Sequence, residues 1–516
     1  MKKRIGLLAA CLFGLVLCLN GLVGCSDAPK EKPQITVASA SVQIDRKTES
    51  VRVLDGVTAV DMNGKDLTDR VTVSCPEGGM SLSDGEATFA ECGDYTLVYS
   101  VSDDYGQTAT AEKTVFVRNI YSVYLTNATV PFLYGALDVA SNEYPFIFYN
   151  ERTVLNVTRY GERALATSVT ESGIAEEDYT SAVAKFLQLY EQDDDAYFRV
   201  FVSDACNQIL LREVVSNGIS EARYEVKYLS EGTKSYDTAF PYLGDDAYET
   251  WLRQVDIYDH MVELAKNGEE LSYDGVSFAT YLSDELGACY LYAAAKSNAE
   301  FWGAYPEALH SVDLRVQAEI DKANLVKKQP HSMYNALTNT QKSNFLQSVD
   351  FNKSEFDEKY FNEDGNYLII IGAKFIEVKD PLTGEVTGVT MGDTLPTAQV
   401  PGILERICED YAGYNILFKP HPSGIPSQEE APEIYNFMVE HDIKILPGSL
   451  PMEVITWAYG QALIGGFDSS LYMAAPQGNT KFFIAEDKTA LSGVSRQLYE
   501  SGVFGAVTFY WPQETA

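Results

Sequence analysis

A histidine held between two prolines is the sharpest chemical feature of the sequence. The run Lys419-Pro420-His421-Pro422-Ser423-Gly424 directly follows apolar residues that predict a buried strand. Because each proline restricts the backbone beside it, the imidazole of His421 should project from the end of that strand. It could then donate a proton or a hydrogen bond to a departing phosphate. The alternative is a stiff turn in which the histidine is incidental.

Two adjacent serines form the second chemical feature. In Ile464-Gly-Gly-Phe-Asp-Ser469-Ser470-Leu471-Tyr472, an apolar strand runs into glycines and then into hydroxyl residues at a predicted helix start. Unpaired amides at a helix N-terminus, together with serine hydroxyls, bind an anion without any net positive charge. An ordinary serine N-cap is the alternative. The position of His421 on a neighbouring strand of the predicted sheet favours the phosphate site.

The charge balance argues against a nucleic-acid partner, and the dispersed metal-binding residue types argue against a metal site. With 74 Asp and Glu against 39 Lys and Arg, the chain carries a formal charge of -35, which repels nucleic acid unless basic residues gather locally. The five histidines are dispersed, and the acidic runs Asp193–Asp195 and Asp245-Asp246 lie in polar turns typical of solvated carboxylates. We therefore predict no nucleic-acid partner, no metal and no other cofactor.

Alternating strands and helices must position these residues. From residue 119 onward apolar runs alternate with helical patterns, which predicts an α/β fold of parallel sheets covered by helices. The first half of this region covers 119–361 and includes a polar, helical stretch from Ala247 to Asn352. The second half covers 362–495 and opens with the strand Tyr367-Leu-Ile-Ile-Ile-Gly372. Ligands of such folds bind at the carboxyl ends of the strands. Residues 496–516 are predicted to return to the first half, 119–361.

Residues 33–118 show a different rhythm. Short runs alternate apolar and polar residues with turn signals between them, which predicts an all-β sandwich of the immunoglobulin-like kind. Cys75 and Cys92 both lie in this segment, so a disulfide between them is an open alternative in an exported protein. We assign this segment no chemistry.

The amino terminus has the order of a lipoprotein signal peptide over residues 1–25. Basic Lys2, Lys3 and Arg4 precede the apolar stretch from Ile5 to Val23, which ends at Gly24-Cys25. We predict that the thiol of Cys25 carries the lipid that anchors an exported protein to a bacterial membrane, with 26–32 as a polar tether. A plain transmembrane anchor is the alternative.

Several segments together resemble the bacterial sialyltransferases of glycosyltransferase family 80. They are Val123-Tyr-Leu-Thr-Asn-Ala-Thr-Val-Pro, Gln341-Lys-Ser-Asn-Phe-Leu-Gln-Ser-Val-Asp-Phe, Phe418-Lys-Pro-His-Pro-Ser-Gly, Met452-Glu453-Val454 and Ser469-Ser470-Leu471-Tyr472. The resemblance spans most of 119–500 through motifs alone. It implies the GT-B fold, two doubly wound Rossmann-like domains, and some members of that family also carry an immunoglobulin-like domain in front.

The resemblance implies a role for each matching residue. His421 would face the donor phosphate as acid or electrostatic stabiliser, Ser469 and Ser470 would bind that phosphate, and Glu453 would hold the ribose of a cytidine nucleotide. Gly372 and Pro422 would belong to the same nucleotide-binding edge.

The general base of the family lies in a pattern Tyr-Asp-Asp-Gly-Ser-x-x-Tyr. The corresponding stretch here is Leu229-Ser230-Glu231-Gly232-Thr233-Lys234-Ser235-Tyr236, so Glu231 takes the second acidic position and Ser230 replaces the first. The alternative for Glu231 is a solvated turn residue. Phe375 is the nearest candidate for the aromatic residue, usually tryptophan, that closes over the donor in the family.

The implied reaction is an inverting, metal-independent transfer of sialic acid from CMP-sialic acid to a hydroxyl of a terminal galactoside. One base takes the hydroxyl proton, while other groups stabilise the charge on the leaving phosphate. Two alternatives remain: a transferase for another activated donor, such as Kdo or glycerophosphate, and a catalytically degenerate surface glycan-binding lipoprotein. Two observations favour the degenerate lipoprotein. Ser230 replaces an acidic residue of the family pattern, and the predicted anchor places the protein outside the cytoplasm, whereas activated sialic acid is made inside it.

Overall fold

The computed structural model describes residues 31–168, 176–204, 207–273, 276–277, 289–362, 364–422 and 431–512. The predicted signal peptide with Cys25, and Ser423 and Gly424 of the histidine motif, lie outside these ranges. No helix within the described ranges is long and apolar enough to cross a membrane. Contacts divide the chain into two compact units, of which the second comprises Asp45–Glu49 and Arg118–Ala516.

The first unit is built from short antiparallel strands. Along Gly93–Ser102 every second residue from Tyr95 to Val101 is buried, as expected of a strand with one face on a core. Cys75 and Cys92 are not bonded to each other, and the thiol of Cys75 instead donates to the carbonyl oxygen of Gly78 at 3.4 Å. The immunoglobulin-like sandwich stays a prediction. The strands are Gln34–Val37, Ser41–Asp45, Val51–Arg52, Val57–Val60, Thr72–Ser74, Met80–Ser83, Glu86–Phe89 and Gly93–Ser102.

The second unit contains two parallel sheets, and the first of them follows the strand Thr108–Thr126, whose residues from 118 onward belong to this unit. Each pair of neighbours in this first sheet is parallel, so the carboxyl ends of its strands meet at one edge. The order across it is Ala164–Thr167, Phe146–Asn150, Thr108–Thr126, Ala196–Ser203, Tyr224–Leu229, Ala299–Gly303 and Leu325–Lys327.

Two strands of the first sheet correct the prediction that Ala247 to Asn352 is helical throughout. Ala299–Gly303 and Leu325–Lys327 extend the sheet beyond Tyr224–Leu229. They have five and three residues, too few to establish a period of two against the helical patterns around them. Tertiary burial decides their structure instead.

The second sheet is also parallel and contains the predicted strands of 362–495. Its order is Lys444–Ile445, Tyr414–Lys419, Asn366–Ile371, Leu463–Gly466, Thr480–Ile484 and Thr508–Tyr510. An antiparallel sheet that the sequence did not predict follows its central strand, with strands Phe375–Lys379, Val386–Met391 and Leu395–Pro396.

The central strand Asn366–Ile371 explains why the two halves of this unit share a core. Leu368 and Ile370 pack into one hydrophobic cluster, whereas Ile369 and Ile371 pack into another that also contains Val123 of the first sheet. A strand buried on both faces reads as a continuous apolar run, as Leu-Ile-Ile-Ile does. The helices of the unit are Thr129–Ser141, Glu176–Gln192, Asn207–Leu210, Thr233–Ala239, Tyr248–Lys266, Cys289–Ala293, Leu314–Ile320, Pro330–Ala336, Asn339–Ser348, Lys353–Tyr360, Val400–Asp410, Pro432–Glu440, Met452–Ala458, Leu471–Ala474 and Gly493–Glu500.

The end of the chain divides between the two halves. Helix Gly493–Glu500 contacts helix Thr233–Ala239 of the first half, whereas strand Thr508–Tyr510 pairs with Thr480–Ile484 of the second sheet. The strand corrects the prediction that 496–516 as a whole returns to the first half. Its position follows from burial of Tyr510, whose ring lies 5.3 Å from that of Phe482.

Candidate active site at the carboxyl ends of the parallel strands

Three neighbouring strands of the second sheet end at the same level. Ile371 is in register with Lys419 on one side and with Gly466 on the other. Gly372 comes next, and its N–H donates to the carbonyl oxygen of Lys419 at 2.9 Å. A Cβ at Gly372 would lie 2.7 Å from the ring of Phe418, so this close approach requires glycine. The turn containing His421 and the loop containing the paired serines therefore flank Gly372, with roughly 10 Å between their strands.

His421 follows the strand Tyr414–Lys419 and is half-buried, while Pro422 beside it is exposed. Burial lowers the pKa of the imidazole, and the positive charges of Lys419 and Lys374 lower it further. A protonated His421 is therefore a stronger acid than a solvated histidine. A phosphate bound beside it would favour the protonated form and offset that shift.

Lys419 opens the histidine motif, but the sequence assigned it no role. Only 3 % of the residue is exposed, and its Nζ donates to the carbonyl oxygens of Pro420 at 3.0 Å and Gly448 at 2.9 Å. Burial lowers the pKa of Lys419 to about 8, although Glu453 acts in the opposite direction. The lysine thus ties the histidine turn to the loop at Gly448 and supplies a positive charge to the site. Its position between a strand and the proline was the available signal.

Glu453 lies in the first turn of helix Met452–Ala458 and is 7 % exposed. Burial raises the pKa of this carboxyl, and Lys419 counteracts the rise by favouring the ionised form. An ionised carboxylate accepts hydrogen bonds from two adjacent hydroxyls, which is the arrangement that a ribose presents. The predicted ribose ligand and the buried lysine are therefore electrostatically coupled.

The paired serines follow the glycines of strand Leu463–Gly466. Gly466 has φ of 144°, and a Cβ there would lie 2.2 Å from the carbonyl oxygen of Ile371, so only glycine fits. The Oγ of Ser469 accepts the N–H of Leu471 at 3.3 Å. The helix that follows, Leu471–Ala474, has four residues, which leaves little macrodipole behind the serines. Anion binding at this loop rests on the hydroxyls and loop amides.

Glu231 lies in a tight loop at the end of strand Tyr224–Leu229 in the first sheet. Ser230 is 2 % exposed, and its Oγ accepts the N–H of Gly232 at 3.1 Å and lies 3.1 Å from the Oγ of Ser235. Ser230 therefore holds the loop together. The Glu231 side chain is 8 % exposed and its Oε2 lies 3.7 Å from Nζ of Lys234, so it is not a solvated turn residue.

Gly232 brings this loop against the serine loop of the second sheet. Its φ is 87°, and a Cβ on it would lie 2.6 Å from the Cβ of Ser470. The residue next to Glu231 thus touches one of the paired serines, although the two belong to different sheets. The structure therefore brings the loop of the predicted base against the loop of the predicted phosphate ligands.

Two aspartates that the sequence left without a role join the same region. Asp468 accepts the N–H of Ser492 at 2.7 Å and the hydroxyl of Ser495 at 2.6 Å. Asp237, in the helix that follows the Glu231 loop, accepts the N–H of Val494 at 3.1 Å. Burial raises the pKa of Asp237, although the N–H donor lowers it; the nearby charge of Asp468 raises it further. No pattern in the sequence relates Asp237 to a residue so distant along the chain.

Phe375 is predicted to close over the donor, and that role stays a prediction. It begins the strand Phe375–Lys379, lies opposite Met391 and packs against the hydrophobic cluster of the second sheet. Its apolar ring is held there by packing. Among the described residues, no group of three or more His, Cys, Asp or Glu side chains is placed to hold a metal.

Solved bacterial sialyltransferases share this fold. The chain is similar to a Photobacterium sp. 2,6-sialyltransferase in a ternary complex with the donor product CMP and the acceptor substrate lactose: the TM-score is 0.54 at 14 % identity, over 92 % of this chain and 97 % of that one. A sialyltransferase from Photobacterium damsela gives a TM-score of 0.53 at 14 % identity, over 92 % of this chain and 99 % of that one. An α/β-galactoside α-2,3-sialyltransferase from Photobacterium phosphoreum gives a TM-score of 0.53 at 12 % identity, over 76 % of this chain and 98 % of that one. No family model matches the sequence. No curated protein matches it either.

Proposed function

We propose that this protein is an inverting glycosyltransferase of the sialyltransferase type, which moves sialic acid from CMP-sialic acid to a hydroxyl of a terminal galactoside. The observation that carries the proposal is the contact between Gly232 and Ser470. It brings the loop that carries Glu231 against the loop that carries Ser469 and Ser470, and the reaction requires the base and the phosphate ligands close together. The fold shared with sialyltransferases, one of them bound to CMP and lactose, supports the same conclusion.

In this proposal each residue acts on a stated atom. Glu231 takes the proton of the attacking hydroxyl, and inversion follows because the hydroxyl and the leaving phosphate lie on opposite sides of the anomeric carbon. His421 donates a proton or hydrogen bond to the leaving phosphate, while Ser469 and Ser470 bind its oxygens. Glu453 accepts hydrogen bonds from the ribose, and Gly372 and Pro422 line the nucleotide edge.

The proposal includes no metal. A donor that leaves as a nucleoside monophosphate lacks the diphosphate that metal-dependent transferases clamp with a cation. Here the charge that develops on one phosphate would be met by the imidazole of His421, the serine hydroxyls and the buried ammonium of Lys419.

We further propose that residues 1–25 direct export, that Cys25 carries a lipid, and that 33–118 form an immunoglobulin-like spacer between the membrane and the transferase. The order of basic residues, apolar run and cysteine supports the anchor. The strand pattern Gly93–Ser102, with alternate residues buried, supports the spacer.

A degenerate glycan-binding lipoprotein is the second candidate function, because Ser230 replaces an acidic residue of the family pattern. The structure limits the weight of that replacement: Ser230 is buried and caps its own loop, and Glu231 supplies the carboxylate. A transferase using Kdo or glycerophosphate would use the same histidine and serines, so only the donor distinguishes it.

The test is donor turnover by the purified full-length protein in detergent. CMP-sialic acid and lactose are supplied, and both free CMP and sialyllactose are measured, with CMP-Kdo as the competing donor. We expect Glu231→Ala and His421→Ala to abolish sialyllactose formation. The exposed residues Glu263 and His310 provide matched controls, and their alanine variants should keep wild-type rates. Binding of CMP without any release of CMP from the donor would favour the degenerate binder.

A further inference from the structure

A cavity opens at the carboxyl edge of the first sheet. Its volume is about 570 Å³, within the range of sites that bind small organic ligands. Its walls come from the ends of strands Thr108–Thr126 and Phe146–Asn150, from helix Glu176–Gln192 and from the π-helix Leu211–Val215, which contains Arg212. None of its described lining residues is among those assigned above to the donor.

Asn127 provides the observation that points to a ligand. The residue is 4 % exposed and lines the cavity, yet its side-chain Oδ1 has no hydrogen-bond partner in the described part of the chain. Its backbone N–H, by contrast, donates to the Oγ of Ser203 at 3.2 Å, which fixes the residue at the sheet edge. A buried amide oxygen without a partner destabilises the fold, and a hydroxyl donor in the cavity would satisfy it.

The opposite wall carries a fixed set of polar groups. The hydroxyl of Tyr179 donates to Oε1 of Glu213 at 2.6 Å, and Nη2 of Arg212 donates to that hydroxyl at 2.8 Å. The rings of Tyr149 and Tyr179 lie 5.0 Å apart, edge to face. Aromatic faces beside carboxylate, guanidinium and amide groups are the combination that binds sugar rings and their hydroxyls. With Glu151 and Glu213 against Arg212, the wall is net negative and disfavours acidic ligands.

The register of the first sheet relates this cavity to Glu231. Leu125 pairs with Val202, and Ser203 pairs with Leu229, so Asn127 and Glu231 leave the sheet at nearly the same level. One strand, Ala196–Ser203, separates theirs, which corresponds to roughly 10 Å. An acceptor with its reacting sugar at Glu231 can therefore extend toward Asn127 along one edge.

We propose that this cavity binds the sugars of the acceptor beyond its terminal disaccharide, so that the preferred acceptor is a neutral oligosaccharide longer than lactose. The inference rests on the proposed function for the placement of the reacting end at Glu231. Asn127 accepts a sugar hydroxyl, Tyr149 and Tyr179 contact ring faces, and Glu213 and Arg212 hold the Tyr179 hydroxyl in place.

Calorimetry with the full-length protein and CMP tests the proposal without turnover. Lactose, the neutral tetrasaccharide lacto-N-neotetraose and its sulfated derivative are titrated. We expect the neutral tetrasaccharide to bind about tenfold more tightly than lactose, and the sulfated one more weakly than the neutral one. Asn127→Ala and Tyr179→Ala should each remove most of that advantage and leave lactose binding unchanged. Lys342→Ala, in a separate surface groove of about 820 Å³, is the matched control and should keep the advantage.

Equal binding of lactose and the tetrasaccharide would overturn the proposal, as would an advantage that survives both cavity substitutions. Tighter binding of the sulfated tetrasaccharide would overturn the neutral class. The same titrations without CMP, together with the donor assay, separate the two hypotheses. Asn127-dependent binding of the tetrasaccharide without CMP release would support the cavity and refute the transferase. Sialyllactose formation with no preference for length would do the reverse.

Discussion

The carboxylate of Asp237 accepts a hydrogen bond from the N–H of Val494 at 3.1 Å. Asp237 follows the Glu231 loop in the first half of the unit, and Val494 lies in the first turn of helix Gly493–Glu500. Asp468, beside the paired serines, accepts from Ser492 and Ser495 at the start of the same helix. One helix terminus therefore holds both the loop of the proposed base and the loop of the proposed phosphate ligands.

Replacing Asp237 should loosen this connection. Asp237→Ala leaves the amide of Val494 without its acceptor, and we expect a loss of about 0.5–2 kcal/mol in the free energy of unfolding together with a lower kcat. Asp237→Asn keeps an acceptor oxygen and should preserve kcat. Thermal unfolding and steady-state transfer to lactose measure both effects. If the alanine variant loses stability but keeps the wild-type kcat, Asp237 has only a structural role.

The asparagine variant also has a pH signature. The pKa of Asp237 is raised above its ordinary value of 3.8, chiefly by burial. The folded state thus holds its proton more tightly than the unfolded state does, so the stability that this carboxyl contributes is present at acidic pH and lost as the pH rises past its folded pKa. Asp237→Asn resembles the protonated form and should be less sensitive to pH over that window. Identical pH dependence of the melting temperatures in both proteins would contradict this assignment.

A methyl group at Gly232 should separate the two loops. A Cβ there would lie 2.6 Å from the Cβ of Ser470, and the φ of 87° disfavours any L side chain. We expect Gly232→Ala to cost at least ~1 kcal/mol in the free energy of unfolding and to abolish most transfer activity. Gly244→Ala is the matched control, because nothing lies within 4 Å of its added Cβ. Equal activities of the two variants would show that the contact is not needed.

Hydrophobic periodicity in the sequence predicted the elements whose structure depends mainly on their own residues. The apolar run Tyr367-Leu-Ile-Ile-Ile-Gly372 contributes most of strand Asn366–Ile371, which is buried on both faces. Strand Ala299–Gly303 was missed because its few residues become a strand only through pairing with Tyr224–Leu229. Periodicity does not encode such pairing.

In the candidate site, too, residues marked by local sequence were predicted, whereas those defined by contacts between distant segments were not. His421, Ser469 and Ser470 were recognisable because prolines, glycines and hydroxyl residues mark the ends of strands. The burial of Lys419 and the hydrogen bond from Val494 to Asp237 were not, since both depend on packing between segments distant along the chain.

His421 should report the charge of Lys374. Burial lowers the pKa of the imidazole, and Lys419 and Lys374 lower it further, so removing the exposed Lys374 should raise that pKa. If protonated His421 is the acid, Lys374→Met should extend activity to higher pH. The pH profiles of kcat for wild type and Lys374→Met measure the shift, with Lys379→Met, an exposed lysine of the next strand, as the control. A profile that moves toward acidic pH would contradict the assignment.

Lys419 should make nucleotide binding depend on pH above neutrality. Its pKa is about 8, below the ordinary 10.5, because burial disfavours the ammonium more than Glu453 favours it. The phosphate of CMP is fully ionised above pH 7, so the affinity for CMP should fall as Lys419 loses its charge between pH 7 and 9. Lys419→Met should bind CMP about tenfold more weakly at pH 7 and show little change over this window.

Whereas the affinity for CMP should fall as the pH rises, the free energy of unfolding should increase. Since the unfolded state binds the Lys419 proton more tightly than the folded state does, this residue destabilises the fold below pH 8 and ceases to do so as the pH rises toward 10.5. Denaturant unfolding at pH 7 and pH 10 should therefore show a smaller pH-dependent gain in Lys419→Met than in wild type. Because His421 and Glu453 are retained in both proteins, their titration largely cancels in the comparison. A Lys419→Met variant with the wild-type slope in both experiments would mean that the ammonium keeps its charge throughout, and that its two carbonyl hydrogen bonds outweigh the cost of burial.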